Sequence, residues 1–481
     1  MLKKYSTFIL ILVATVFASN HQGVAQSTPL LDDDKELKLF IPEIYENRRA
    51  ELMKKVEGDI IVISNDDAHN FHYLTGFDQS PAVAIIAPGS DYLYILFLRF
   101  TSPTAVLWDG PRHTINDAIH HFGADTAHFM QQLHRKLAEL VGEGKSISVS
   151  PTDTRVNQEI ENIRLRGNEV EVFSDLKETV ENMRVIKDPW EKEWLAQAVE
   201  VTCDAHLRSM KAIEPGKYEY EIRAEIEYVF MKNNCTTGFP SIIGSGPNAT
   251  FLHYPFYDRK LLEGDLILID IGAKCNHYTA DVTRTYPVSG KFTPEQRELY
   301  ELVLKAQEAA IEMMKPGVGT LEPHHRATEI IMDGLYELGL ITERNSWWQQ
   351  RFYLHYAGLH YIGLHVHDPG HFADIVRSDR DGYLLDTEIK GRPMEPGMVL
   401  TIEPGLYFLE DGLDHVYTHF SQHADRDELN EFIRRVAPVY ERYKGIGIRI
   451  EDDILIIENG NVNLSSGAPK SVEEIEAVMR R

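Results

Sequence analysis

The spacing of apolar positions changes character along this chain, and each change marks an element. From Pro42 to about Asp175, short apolar runs alternate with amphipathic stretches. The segment IYENRRAELMKKV reads as a helix with a basic face. DIIVIS, AVAIIAP and YLYILFL read as buried strands, each closed by polar residues or by Pro and Gly. A second helical stretch is expected to begin near Asp117. The pattern predicts an α/β unit with a boundary near residues 176–188. Beyond it, Asp188, Pro189 and Glu191 form a capping box with proline at the first helical position. The helix they start is expected to reach about Ile213 and stop at Glu214-Pro215-Gly216. Thr293-Pro294-Glu295-Gln296 announces another helix. Leu299, Leu302, Val303, Ala306, Ala310 and Met313 keep helical spacing up to Pro316-Gly317.

Between these helices the period falls to two, and acids appear where core residues belong. Leu266, Leu268 and Asp270 share one strand face in LILIDIG; Asp281, Thr283 and Thr285 share one in DVTRTY. Val399, Thr401 and Glu403 do so in MVLTIEP, and Arg449 and Glu451 in GIGIRIEDD. His360 follows in HYIGLHVHD. Four carboxylates and an imidazole gathered in a dry pocket would repel one another or take up protons. Two divalent cations would resolve that conflict and would make the pocket hydrolytic. Oxygen-rich coordination favours a hard ion such as Mn²⁺, with Zn²⁺ and Co²⁺ also able to fit.

Composition narrows the setting. The chain has 481 residues, 43% hydrophobic and 26% charged, with length for two or three domains. A net charge of −25 excludes nucleic acid and anionic lipid as natural partners. Lys3 and Lys4 precede an apolar run from Phe8 to Ala18, too short to span a bilayer, which needs ~20 residues. This is read as a signal peptide, residues 1–25, cleaved after Ala18 or Ala25. It predicts export to the periplasm or beyond, with no membrane attachment after cleavage. Residues 27–40 read as a polar lead-in. Cys203, Cys235 and Cys275 are too few for a disulfide framework. One bridge is possible; buried free thiols are the reading preferred.

Five motifs now stand in order: GSGPNATFLHY, LILIDIGAKCNHYTADVTRTYPVSGKFT, HYIGLHVHD, MEPGMVLTIEPGLYF and GIGIRIEDDILI. Together they resemble the pita-bread metallopeptidases, in the branch of aminopeptidase P and prolidase. FHYLTGFDQSPAVAII resembles the N-terminal domain of aminopeptidase P. The resemblance implies an α+β protein. A smaller α/β domain, residues 26–180, would precede a pita-bread catalytic domain, residues 181–481. It implies that Asp270 chelates one metal, that Asp281 and Glu451 bridge both, and that His360 and Glu403 complete the other. It places His253 and His367 beside the metals, to hold substrate, stabilise the tetrahedral intermediate or shuttle a proton. Glu403 would take the water's proton. Arg449 is expected to hydrogen-bond Glu451 and orient it. His355, His365 and His371 are read as structural or rim residues, and Arg392 as outside the site. A homo-oligomer, dimer or tetramer, is implied as well.

The chain departs from the family in places. A histidine usually lies four residues before the ligand; Tyr356 stands there, and His355 is one place off. His365 stands where an acid is frequent. The polar intervals 371–391 and 409–444 are long and are expected on the cavity rim. The reading that results is an exopeptidase cutting an N-terminal residue from a following proline. The X–Pro bond is a tertiary amide without N–H, which general proteases handle poorly. The alternatives are a prolidase limited to dipeptides, a pita-bread protein without catalysis, and a metal hydrolase of another bond such as an organophosphate ester.

Overall fold

A computed structural model describes residues 41–87, 94–356, 358–370 and 389–480. The segment read as a signal peptide, with its two candidate cleavage sites, the interval 27–40, His371 and most of 371–391 lie outside the described residues. Two compact units meet in sequence between Thr179 and Val180.

The first unit is built on a six-stranded mixed sheet. Its spatial order is Thr126–Phe129, Tyr94–Leu98, Ala82–Ile86, Ile60–Ser64, Ile147–Val149, Val172–Phe173. Every residue of Ile60–Ser64, Ala82–Ile86 and Tyr94–Leu98 is buried. That is why their sequences are unbroken apolar runs rather than alternating ones. The basic segment forms the helix Pro42–Leu52, and the stretch near Asp117 forms Ile115–His120 inside a Thr114–Asp117 capping box. Helix Pro103–Asp109 buries none of its residues.

The second unit carries the acids. Helix Pro189–Ala212 starts where Asp188 accepts from the amides of Trp190 and Glu191, and Pro294–Met313 starts where Thr293 accepts from Gln296. These helices, with Glu219–Lys232 and Glu322–Leu338, contribute to one apolar core around short antiparallel sheets. One sheet pairs Val282–Pro287, Leu266–Ile271 and Ile242–Ser245. A second pairs Val399–Ile402, Asp452–Ile457 and Gly460–Asn463, and a third pairs Gly405–Tyr407 with Gly447–Arg449. Arg284, fully buried, joins them. It donates to Asp452 Oδ1 at 2.7 Å and to the carbonyl of Glu451 at 2.6 Å.

One interval gains a structure here and one expectation is corrected. The interval 409–444 is mostly helical: Arg426–Tyr443 buries Leu429, Phe432, Val436, Tyr440 and Tyr443, a helical stripe hidden among many charges. The cysteines are not all free thiols. Cys235 and Cys275 form a disulfide, and Cys203 is the buried free one. Strand register explains the pairing. Lys274 stands opposite Thr236 in an antiparallel pair, which brings Cys275, just after Lys274, across from Cys235, just before Thr236.

Candidate metal centre

Asp270 lies in the central strand of its sheet, opposite Thr283 on one side and Ile242 on the other. The other three acids are not inside strands, contrary to the sequence reading. Asp281 precedes Val282–Pro287, Glu403 follows Val399–Ile402, and Glu451 fills the gap between Gly447–Arg449 and Asp452–Ile457. Each sits where the backbone leaves its ladder, and each is tied there. The Asp281 amide donates to Asp453 Oδ2 (3.0 Å), that of Glu451 to the carbonyl of Thr283 (3.0 Å), and that of Glu403 to the carbonyl of Gly358 (2.8 Å). His360 is clamped to the strand before Glu403: its amide donates to Thr401 Oγ1 and its carbonyl accepts from the Thr401 amide. Gly272 lets the two aspartate segments touch, because a Cβ there would lie 1.8 Å from the carbonyl oxygen of Ala280.

All five predicted ligands line one cavity of about 310 Å³, together with His253, His367 and Arg449. His360 Nε2 is 3.3 Å from Asp281 Oδ2, 3.6 Å from Glu403 Oε1 and 3.8 Å from Glu451 Oε1. Ligand atoms of Asp281, His360 and Glu451 all fall within 4.8 Å of one another. The carbonyl of Tyr361, 3.0 Å from His360 Nδ1, can only accept. Nδ1 therefore carries the proton, and Nε2 presents a lone pair to three carboxylates. Burial, with His367 alongside, holds the His360 imidazole neutral, its pKa lowered to about 3.

The carboxylates face the same difficulty. Asp270 Oδ1, Asp281 Oδ1 and Glu451 Oε1 are buried without a hydrogen-bond partner among the described residues. Burial, then repulsion from Glu451 and Asp270, pushes Asp281 well above the ordinary carboxylate range. Burial, then Glu403 and Asp270, does the same to Glu451. Burial raises Glu403 to about 7 despite Arg449. These three oxygens and His360 Nε2 thus bring lone pairs to one cavity, and the three oxygens have no donor on them among the described residues. Divalent cations fit this donor set.

Arg449 does not perform the role expected of it. It donates to Asp270 Oδ2, to Thr283 Oγ1 (3.1 Å) and to the hydroxyl of Tyr407 (2.9 Å), not to Glu451. Glu451 instead accepts at 2.6 Å from Thr283 Oγ1. The reason is register. Arg449 ends its paired strand while Glu451 lies past the end, so shared alternation does not make them neighbours.

His367 stacks edge-on against His360, with ring centroids 4.5 Å apart, and is exposed at the cavity mouth like His253. Asp368, buried beside it, accepts from Arg184, Lys187 and the His365 amide. His355 lines neighbouring hollows rather than the cavity, His365 is exposed outside it, and Arg392 pairs with Glu395 on the surface. Tyr356 does line it; its hydroxyl donates to the carbonyl of Glu403 at 2.8 Å and meets that of Tyr407 at 3.0 Å. Tyr407 and Asp453 were missed as supports of the site. The acidic run Glu451-Asp452-Asp453, too charged for a buried strand, was the available signal for Asp453. Nothing in sequence marked Tyr407.

Comparison with known proteins agrees with this geometry. Residues 193–458 match the family model for metallopeptidase family M24, and residues 45–149 that for the aminopeptidase P N-terminal domain. A Xaa-Pro aminopeptidase of Escherichia coli is 34% identical over 85% of this chain and 88% of its own length. One from Haemophilus influenzae is 33% identical over 89% and 92%. The structure of Pseudomonas aeruginosa aminopeptidase PepP superposes with a TM-score of 0.78 at 32% identity, covering 92% of this chain and 98% of that one. A zinc-substituted E. coli aminopeptidase P with bound product superposes at 0.77, with 30% identity and the same coverage. With its acids and His360 drawn into one cavity, the chain belongs to metallopeptidase family M24, in its aminopeptidase P branch.

Proposed function

We propose that this protein removes the N-terminal residue of peptides whose second residue is proline. The observation that carries this is the meeting of His360 Nε2 with three carboxylates, in a chain aligned over most of its length with Xaa-Pro aminopeptidases. Asp270 would hold one cation, His360 and Glu403 the other, with Asp281 and Glu451 shared. Mn²⁺ is the ion we propose, on the hardness of the donors. Such cations make water acidic near neutral pH and polarise a peptide carbonyl.

The chain's own groups do the rest. The Glu403 carboxylate lines the cavity and accepts the proton lost by the attacking water. His253 and His367 stand at the mouth, placed to hold the substrate and to donate to the carbonyl oxygen as it gains charge. Arg449 keeps Asp270 turned toward the cavity.

Two further readings accompany this. Export is supported by the charged and apolar N-terminus and by the Cys235–Cys275 bridge, since disulfides persist in oxidising compartments. A homo-oligomer is supported by helix Pro103–Asp109, whose Leu107 and Trp108 are 82% and 81% exposed. A second copy would cover them, and Trp108→Ser should then lower the mass measured by light scattering.

The deciding experiment offers Mn²⁺-loaded protein an X–Pro dipeptide and an X–Pro–Y tripeptide. Cleavage of the tripeptide before proline is expected. Cleavage of the dipeptide alone would mean a prolidase, and cleavage of neither would end the reading.

A further inference from the structure

Past His253 the wall of the metal cavity continues into a second hollow of about 530 Å³. Leu252 and His253 line both spaces. The second is apolar: Phe251, Tyr254, Phe256 and Leu409 form much of its lining, and no Lys, Arg, Asp or Glu is among the described residues around it. Phe251 is 52% exposed and Phe256 62%. Tyr254 lies between them, buried, with its ring centroid 6.3 Å from that of Phe251 and 5.7 Å from that of Phe256.

This loop is held, so the exposure of its rings belongs to the fold. The buried carboxylate of Glu219 accepts from Ser245 N (2.7 Å), Ser245 Oγ (2.8 Å), Asn248 Nδ2 (3.1 Å) and Arg259 N (3.2 Å). One acid thereby fastens both ends of the segment that carries His253. Asn248 Nδ2 also donates to the Tyr254 hydroxyl at 2.8 Å. Large rings kept in water by a tethered loop, beside a reaction cavity, mark a surface that binds.

We infer that this hollow is the subsite for the residue that follows proline in the substrate, and that it takes an apolar or aromatic side chain. The inference rests on the Xaa-Pro reading of the metal site. A substrate with its first peptide bond at the carboxylates must send the remainder of its chain out of the cavity. The hollow adjoins that cavity at Leu252 and His253, which line both. Its described lining holds no lysine or arginine to bind a dipeptide's terminal carboxylate, so it suits a chain that continues.

The test uses metal-loaded, full-length protein and the peptides Ala-Pro-Phe, Ala-Pro-Gly and Ala-Pro. Wild type is expected to favour Ala-Pro-Phe over Ala-Pro-Gly by roughly tenfold in kcat/KM, mostly through KM, as burial of one ring implies. Phe251→Ser combined with Phe256→Ala should reduce that preference to about twofold or less and leave Ala-Pro-Gly unchanged. Both rings are exposed, so the fold should survive. An undiminished preference in the variant overturns the inference. So does a variant that changes only its state of association, which would mean that a second copy covers the rings. If no Xaa-Pro peptide is cut by wild type, the reading of the metal site fails first, and that result is distinct from a lost preference.

Discussion

Arg449 holds Asp270 by one carboxylate oxygen, Oδ2, and leaves the other, Oδ1, buried without a hydrogen-bond partner among the described residues. The same guanidinium also reaches Thr283 and Tyr407. Nε, Nη1 and Nη2 each serve a different acceptor, a spread of donors that the single nitrogen of an ammonium group does not have. Arg449→Lys should therefore lower kcat/KM by roughly 10–100-fold and weaken metal retention, although charge is conserved. Steady-state kinetics and metal content measured together would check this. Near-normal values for both would show that Arg449 only balances charge.

Asp281 offers the sharpest opposition between function and stability. Its carboxylate lies 3.3 Å from His360 Nε2 and is raised by burial and by Glu451 and Asp270. Asp281→Asn should lower turnover by roughly 1,000-fold or more, since it removes the carboxylate proposed to be shared by both cations. In chelator-stripped protein the same change should raise the melting temperature, because one buried repulsive charge is gone. A stripped variant that melts below stripped wild type would contradict this account of the repulsion.

Metal-free protein should respond to pH in the direction set by Glu403. Burial moves its pKa from 4.5 up to about 7 in the folded chain. A group raised in this way contributes its stability below the unfolded value and loses it as pH climbs through the folded one. Asp281 and Glu451 shift the same way. Stripped protein should thus lose several degrees of melting temperature, relative to metal-loaded protein, between about pH 5 and about pH 8. Parallel curves for the two forms would count against it.

The Cys235–Cys275 bridge spans a sequence separation of 40, which on a chain-entropy basis stabilises by ~4 kcal/mol. Cys275→Ser should lower the melting temperature by roughly 5–15 °C. Alkylation of denatured, unreduced protein should label Cys203 alone. Labelling of all three cysteines would show that the bridge does not form.

Much of this was readable in the chain, because the signals were local. Asp188 and Thr293 announced their helices, since a cap and its partner lie three residues apart. The five residues that gather in the cavity were picked out by family motifs and by acids breaking apolar runs. What escaped depended on register between distant strands. Alternation put Arg449 and Glu451 on one face but could not say that Asp270 would stand across from Thr283, within reach of the guanidinium. Cys235 and Cys275 carry no spacing signal, and only the pairing of Thr236 with Lys274 brings them together. The stripe of Arg426–Tyr443 was masked by the charged residues around it.

The central claim is that four carboxylates and His360 surround a pair of cations. Anomalous diffraction from Mn²⁺-reconstituted crystals tests it most directly. The account predicts two peaks inside the cavity, one contacting Asp270, the other contacting His360 and Glu403, with Asp281 and Glu451 touching both. An empty cavity at saturating metal, or ions bound only elsewhere, would contradict it.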